Sequence, residues 1–545
     1  MTNQNKADII LEGASFYCGK SLDNDVDFVA VKDNKIIATG QKDNMDQYIG
    51  HKTIIKNYTK NNLIMPGLHD NHIHLVIAGM LDKYVSLDGC KSQRDVALKT
   101  VEFAQTIPDE KWVIGFGFSR LEWEDSSLPL KSTLDELIPH RPVLLMDNEL
   151  HSAWANSKAF EIAGINKDTP DPEFGEIDRL PDGEPKGFLY ETALTLVAKY
   201  AFDMEEAVVI DLIKRYMKVA NSYGITSASD MTPYLGIDLS YFPVFKKLAV
   251  DGELTMRINA ARDLFEDSAI LPEMKREIQD LQTDMYKVLY YKQFVDGVPG
   301  NYTALMIDDY SDKPGEKGGS LLPLDKLNAA VKSANENNIP VRLHACGDGA
   351  VRLALHAFEK AASSTATPIR NQIEHIEVTT KEDIPRFGQL GVIASIQPEH
   401  IVSGIDSHND NCYPEILGPE REKYTWPFKS ILDSGGILAC GSDMPVVPGI
   451  PFEGLYVGLT RLHNDGTPEG GWNPHEKLSI YELLDGYTSG ASYAEGKEDI
   501  LGTLEEGKLA DISVFDTNFL EADPEDIRAA GALLTMVDGK IVYEK

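Results

Sequence analysis

The stretch LIMPGLHDNHIHL, Leu63 to Leu75, ends an apolar run with a Pro-Gly turn and sets His72 and His74 two residues apart. On an extended strand, residues i and i+2 project to the same side, so the two imidazoles aim at one point and suggest a metal. Further along, Lys292 in YYKQF, His344 in VRLHACG, His375 in IEHIE and Asp443 in GSDMP lie on or close to short apolar runs. Four histidines and an aspartate form a nitrogen and oxygen donor set suited to one or two divalent ions, Zn2+ first, with Mn2+, Fe2+ or Ni2+ as alternatives. Lysine is the odd member, because an ammonium binds no cation. A desolvated, neutral Lys292 amine can instead take up CO2 and become a carbamate, whose oxygens bridge two metals about 3.5–4 Å apart. Taken singly, each residue also has a plain structural reading: a satisfied buried histidine, a strand lysine, or an aspartate capping a helix before Pro445. Their joint occurrence at successive strand ends is what points to a metal centre.

Such residues need elements that bring them together. The middle of the chain alternates strand and helix signals, which favours a parallel sheet covered by helices. Candidate strands are LIMPGLHD, GITSASDM, LTMRINAA, KVLYYKQFVDG, IPVRLHACG, NQIEHIE, GVIASIQPEH and GILACGSDMP, separated by helical patterns such as EEAVVIDLIKRYMKVANSYG. Eight strands predict a (β/α)8 TIM barrel, an α/β fold whose active groups converge at the C-terminal strand ends. About 150 residues separate the first two strands, too many for one helix and its loops, so an inserted α+β subdomain is expected at about 95–222. Short strands and turns at both ends, ADIILEGASFY and DFVAVKDNKIIATG against LADISVFDT and ALLTMVDGKIVYEK, predict one small composite β-sandwich domain built from residues 1–64 and 497–545, flanking a barrel over 65–496.

The net charge of −34 over 545 residues repels phosphate backbones and anionic lipid, which argues against a nucleic-acid or membrane partner. Five scattered cysteines without C-x-x-C spacing fit neither a disulfide framework nor a thiolate zinc site. The first residues carry no apolar leader and no run reaches ~18 apolar residues, so the expectation is a cytoplasmic protein acting on a small-molecule substrate, with a homodimer as the assembly considered.

The motifs PGLHDNHIHL, LHSAWANSKAF, KQFVDG, LHACGDGAV, QIEHIE, SIQPEH, GSDMPVVP, YTSGASYA and GTLEEGKLADISVFD together resemble the amidohydrolase superfamily, in particular its amidohydrolase-3 (YtcJ-like) branch, over nearly the whole chain. The resemblance implies His72, His74 and Asp443 on the more buried metal, His344 and His375 on the other, and Lys292 as the bridging carbamate. It implies hydrolysis of non-peptide, amide-like C–N bonds, N-substituted formamides among them. Where the family usually has an Asp two residues before the His of the HSAWxNS block, this chain has Glu149 before His151, preceded by Asn148, which implies a different pocket.

On that reading a metal-bound hydroxide, acidified from a pKa of 15.7 to about 7, attacks the carbonyl, with Asp443 as general base and then general acid. His375 or His151 steadies the oxyanion. His151, Trp154 and His400 are expected to bind substrate, and Phe118, Trp123 and Tyr190 are candidate aromatic walls that could equally be core. Cys346 is expected to be a packed thiol. A deaminase is disfavoured because His344 is followed by Ala345, Cys346, Gly347 and Asp348 rather than by a nearby glutamate, and because such enzymes lack the strand lysine. Ester or lactone hydrolysis at the same site stays open, and an inactive scaffold is disfavoured because no ligand position is lost.

Overall fold

The computed structural model describes residues 6–545 except 20–24, 82, 109, 121–122, 124–126, 232–236, 238, 265–275, 277 and 403–406. Among the described residues, eight parallel strands lie side by side in chain order: β1 (Leu68–Ile73), β2 (Ile225–Asp230), β3 (Arg257–Asp263), β4 (Tyr286–Phe294), β5 (Val341–Ala345), β6 (Gln372–His375), β7 (Ile393–Ile396) and β8 (Ile437–Cys440). The ring closes between β8 and β1 through a parallel bridge from Ile73 to Met444, with Asp443 N–H donating to His72 O at 2.7 Å and His74 N–H to Met444 O at 3.0 Å. This is the expected (β/α)8 barrel. β7 (IASI) and β8 (ILAC) are nearly apolar runs, whereas β1, β2, β3 and β6 carry buried polar residues, since helices cover the outside and side chains fill the inside.

The expected first strand is two strands. Leu63–Pro66 pairs antiparallel with Ile512–Phe515, and only after Gly67 does β1 begin. The break has a steric cause: a Cβ on Gly67 would stand 2.2 Å from the Thr226 side chain, so only glycine lets the backbone pass β2 there. His72 therefore lies on β1 itself, with His74 just beyond it.

Strands from both chain ends share a sheet, in the order Ser15–Phe16, Leu63–Pro66, Ile512–Phe515, Ala532–Val537, Lys540–Glu544. A second, four-stranded sheet of Ile9–Glu12, Phe28–Lys32, Lys35–Gly40 and Ile54–Asn57 lies beside it, and Leu11, Val29, Val31, Ile64, Ile512 and Met536 from the two sheets join in one apolar cluster. Buried Arg257 on β3 ties this unit to the barrel. Its guanidinium donates to Asp511 Oδ2 at 2.7 Å and Oδ1 at 3.1 Å, and to Asp538 Oδ1 at 2.9 Å.

Between β1 and β2 the chain builds a six-stranded mixed sheet from Val85–Ser86, Val113–Phe118, Val143–Asp147, Ser152–Ala155, Gly175–Arg179 and Pro185–Glu191. The helix Glu206–Ser222 then packs on Leu75–Met80 and returns the chain to β2. Among the described residues no helix is long and apolar enough to cross a membrane.

Candidate active site

The C-terminal ends of the barrel strands surround a cavity that opens to solvent. His72, His74, Lys292, His344, His375, His400 and Asp443 all line it, as does His151 from the turn between Val143–Asp147 and Ser152–Ala155. Asp443 sits at the centre. Its Oδ1 lies 3.2 Å from His72 Nε2 and 3.3 Å from His74 Nε2, and its Oδ2 lies 3.8 Å from His375 Nδ1 and 3.7 Å from His400 Nε2. The His344 and His375 ring centroids are 4.5 Å apart, and those of His72 and His375 are 5.0 Å apart.

Backbone strain holds these groups in place. Asp443 and His375, neither of them glycine, adopt φ of 62° and 71°, in the left-handed region that costs of order 1–3 kcal/mol and recurs at functional sites. Gly441 makes the close packing of β8 on β1 feasible, since a Cβ there would approach His72 N to 2.4 Å. The Ser442 N–H and hydroxyl donate to the two Asp70 oxygens at 2.9 and 2.6 Å, which fastens the strand end carrying Asp443 to β1.

Electrostatics distinguish the site from an ordinary polar core. His72 Nδ1 bonds Glu374 Oε2 at 2.6 Å, and Glu374 is itself gripped by the Arg342 guanidinium at 2.7 and 3.2 Å. With Nδ1 engaged by Glu374, the ring is oriented so that Nε2 faces the Asp443 carboxylate. Both His72 Nε2 and Asp443 Oδ1 are buried without a hydrogen-bond partner among the described residues, as are Lys292 Nζ, His344 Nδ1 and His400 Nε2. Burial opposes ionisation of Asp443, yet the imidazoles of His72, His74 and His375 hold its carboxyl well below the usual range. Burial and neighbouring positive groups push His344 and His375 well down, so their rings are neutral donors. Lys292, 5.0 Å from the Phe294 ring centre, is pushed down to about 8 chiefly by burial, with Glu374 and Asp443 opposing. Imidazole nitrogens gathered around a buried carboxylate are a donor set that fits a divalent cation.

Two donor groups emerge, one of His72, His375 and Asp443 and one of Asp296, His344 and Cys346. Asp296, from the motif KQFVDG, lies 3.4 Å from His344 Nδ1 and accepts from the N–H groups of Leu305, Cys346 and Gly347 at 2.9, 3.1 and 2.9 Å. Cys346 Sγ is 3.6 Å from His344 Nε2, and burial keeps its thiol well above the usual value.

These observations bear on identity. The sequence profile of the amidohydrolase family matches residues 59–543. The chain belongs to the amidohydrolase family. It is 30% identical over 545 residues to the Arabidopsis thaliana protein LONG AFTER FAR-RED 3, covering 98% of this chain and 92% of that protein. The N-substituted formamide deformylase of Arthrobacter pascens is 24% identical, with 88% of each chain covered. A solved metal-dependent hydrolase of Pyrococcus horikoshii shares the fold, with a TM-score of 0.75 at 24% identity over 95% of this chain and 99% of that one.

The pocket of this amidohydrolase-family chain departs from the sequence-based picture in one respect. Trp154 does not line the cavity. Along Ser152–Ala155 the side chains alternate, so Ala153 and Ala155 face the main core while Trp154 enters the separate core of the inserted sheet with Phe118, Trp123 and Phe188. Tyr190 packs edge-on to Phe188 in the same cluster, 4.9 Å between centres. The aromatic walls are Phe294, Tyr413 and Trp426 instead. His151 does reach the cavity, where its Nδ1 meets Glu191 Oε2 at 2.7 Å. Burial disfavours its charge, but Glu191, with Asp147 and Glu149, outweighs burial and raises it to about 9. Glu149 and Glu377 also line the cavity, and Tyr413 O–H donates to Glu377 Oε2 at 2.5 Å. Glu377 and Glu374 flank His375 within QIEHIE, a spacing that signals acidic neighbours of a ligand without saying which way each points.

Proposed function

We propose that the protein is a metal-dependent hydrolase that cleaves a non-peptide, amide-like C–N bond of a small molecule, with N-substituted formamides as the first class to test. The carrying observation is the meeting of His72, His74, His344, His375 and Asp443 at one barrel mouth, with His72 Nε2, His344 Nδ1 and Asp443 Oδ1 buried without a hydrogen-bond partner among the described residues. The named activity of the Arthrobacter relative supports the choice of bond.

His72, His74 and Asp443 would hold one cation and His344 and His375 a second, and Lys292 would supply further ligand oxygens once carboxylated. Loss of the ammonium proton near pH 8 favours the amine form that adds CO2 and releases a proton. Bound there, Zn2+ or a similar ion supplies Lewis acidity toward a carbonyl and acidifies water to near neutral pH. Asp443 takes a proton from the attacking water and passes it to the leaving nitrogen, since its Oδ2 faces His375 and His400 across the cavity. His151, kept cationic by Glu191, donates toward the developing oxyanion. His400 Nε2, buried and unpartnered among the described residues, is available to the substrate. The aromatic walls of the cavity fit a small organic substrate.

The test is to strip the purified protein with dipicolinate, reload Zn2+ or Mn2+, and assay formate and amine release from a series of N-substituted formamides beside matched esters and lactones. Expected are metal near one or two equivalents, loss of about nine-tenths of activity on stripping, and its return on reloading. Full activity in stripped protein defeats the metal reading. Turnover of esters or lactones alone moves the bond assignment to C–O.

A further inference from the structure

The part of the cavity away from the metal donors is acidic. Glu149 stands on the turn between Val143–Asp147 and Ser152–Ala155, held by Asp147, whose carboxylate accepts from Ser152 N–H at 3.1 Å and Ser152 O–H at 2.6 Å. Glu377, fixed by Tyr413, lines the same cavity. We propose that Glu149, backed by Glu377, selects substrates carrying a cationic group, such as an alkylammonium, remote from the bond that is cut. This inference rests on the hydrolytic reading of the same cavity and names its substrate class.

Three observations carry it. First, among the described residues Lys292 is the one lysine or arginine lining the cavity, and it sits among the metal donors, so nothing there meets a substrate carboxylate or phosphate at the acidic end. Second, the charges acting on Glu149 are Asp147, Glu377, Glu191 and His151, and no hydrogen bond to Glu149 is formed among the described residues. The imidazolium beside them, His151, is already engaged by Glu191 at 2.7 Å, and among the described residues no lysine or arginine at this end of the cavity pairs with Glu149 or Glu377. Third, the Glu149 carboxylate abuts the loop opposite it at Gly300, where a Cβ would lie 3.3 Å from Oε1, so its position is set by packing and it faces the cavity. Burial, then the neighbouring Asp147 and Glu377, push the Glu149 carboxyl up to about 8, so near pH 7 it holds its proton until a cation draws it into the carboxylate form. An ammonium placed there displaces that proton and gains a charge-assisted hydrogen bond to the carboxylate in a partly desolvated site.

The test uses three ligands of one length: N-butylformamide, its ω-ammonium form and its ω-carboxylate form. Each is titrated into the metal-loaded full-length wild-type protein by calorimetry. Preference is read as a ratio of Kd values where no turnover occurs, and of kcat/KM values where it does. A complete lack of hydrolysis therefore overturns the function proposed above while this preference is still measured. The ammonium form is expected to be favoured over the neutral form by about 30-fold, with the carboxylate form weakest. Glu149→Gln should reduce that preference to less than about 3-fold, and Glu149→Asp should restore much of it, with melting curves confirming that each variant is folded. Equal affinity for the neutral and ammonium forms in wild type, or an undiminished preference in folded Glu149→Gln, overturns the proposal.

Discussion

At the scale of single residues, the chemistry turns on Asp443 and His151. Asp443→Asn conserves size and one oxygen, so the fold and most metal should remain. The proton route is lost, and kcat should fall by about 10³- to 10⁴-fold. Steady-state kinetics with metal analysis checks this, and near-normal turnover would exclude Asp443 as the shuttle. His151 gives a pH signature. Its folded pKa is raised to about 9 from 6.5, so the imidazolium–Glu191 pair contributes stability fully below pH 6.5 and loses it as pH rises through about 9. A basic limb in kcat/KM near pH 9 is expected. His151→Gln should abolish that limb and lower kcat/KM by about 10²-fold. A wild-type profile flat to pH 10 would count against the role given to His151.

At the scale of elements, three barrel strands cooperate to aim one imidazole. Arg342 on β5 grips Glu374 on β6, which grips His72 on β1, and Arg342 also donates to Asn71 O at 2.5 Å and Ser395 Oγ at 3.1 Å. All three members of the chain are essentially inaccessible to solvent. Glu374→Gln keeps the volume but leaves the guanidinium buried without a counter-charge, at a cost of about 3–5 kcal/mol. It also loosens the His72 tautomer, so metal affinity should drop by about 10- to 100-fold. Denaturant melts and chelator competition measure the two effects separately. Wild-type metal affinity in a folded Glu374→Gln protein would show that the strands orient His72 without this carboxylate.

At the scale of the whole molecule, the barrel and the sheets built from both chain ends are joined by buried charge as well as by apolar packing. Asp511, in the motif GTLEEGKLADISVFD, receives Arg257 from β3, while its own carbonyl accepts from Gly67 N–H at 2.9 Å just before β1 starts. Burial opposes the Arg257 charge, but Asp511 and Asp538 outweigh it and raise the guanidinium further above its normal range. Asp511→Asn should therefore destabilise the protein by about 3 kcal/mol without altering metal content in the folded state. Urea unfolding followed by tryptophan fluorescence reads the loss, and a shift under about 0.5 kcal/mol would assign the junction to apolar packing alone.

The amino-acid sequence on its own determined the eight-strand barrel, because eight short strand signals alternate with helical patterns, and it determined the donor types, because imidazole and carboxylate chemistry belongs to the residue. The pairing of the two chain ends was legible in their matching short β runs. Tertiary structure alone decided the rest. It split LIMPGLHD at Gly67, where Thr226 from a distant segment leaves no room for a side chain. It turned Trp154 into the core of the inserted sheet while its neighbour His151 entered the cavity. It also brought Glu374, Glu377 and Glu149 to defined places around the donors. Which way a side chain points at a strand end depends on backbone angles such as the positive φ of His375 and Asp443, and those angles are imposed by long-range packing rather than by local preference.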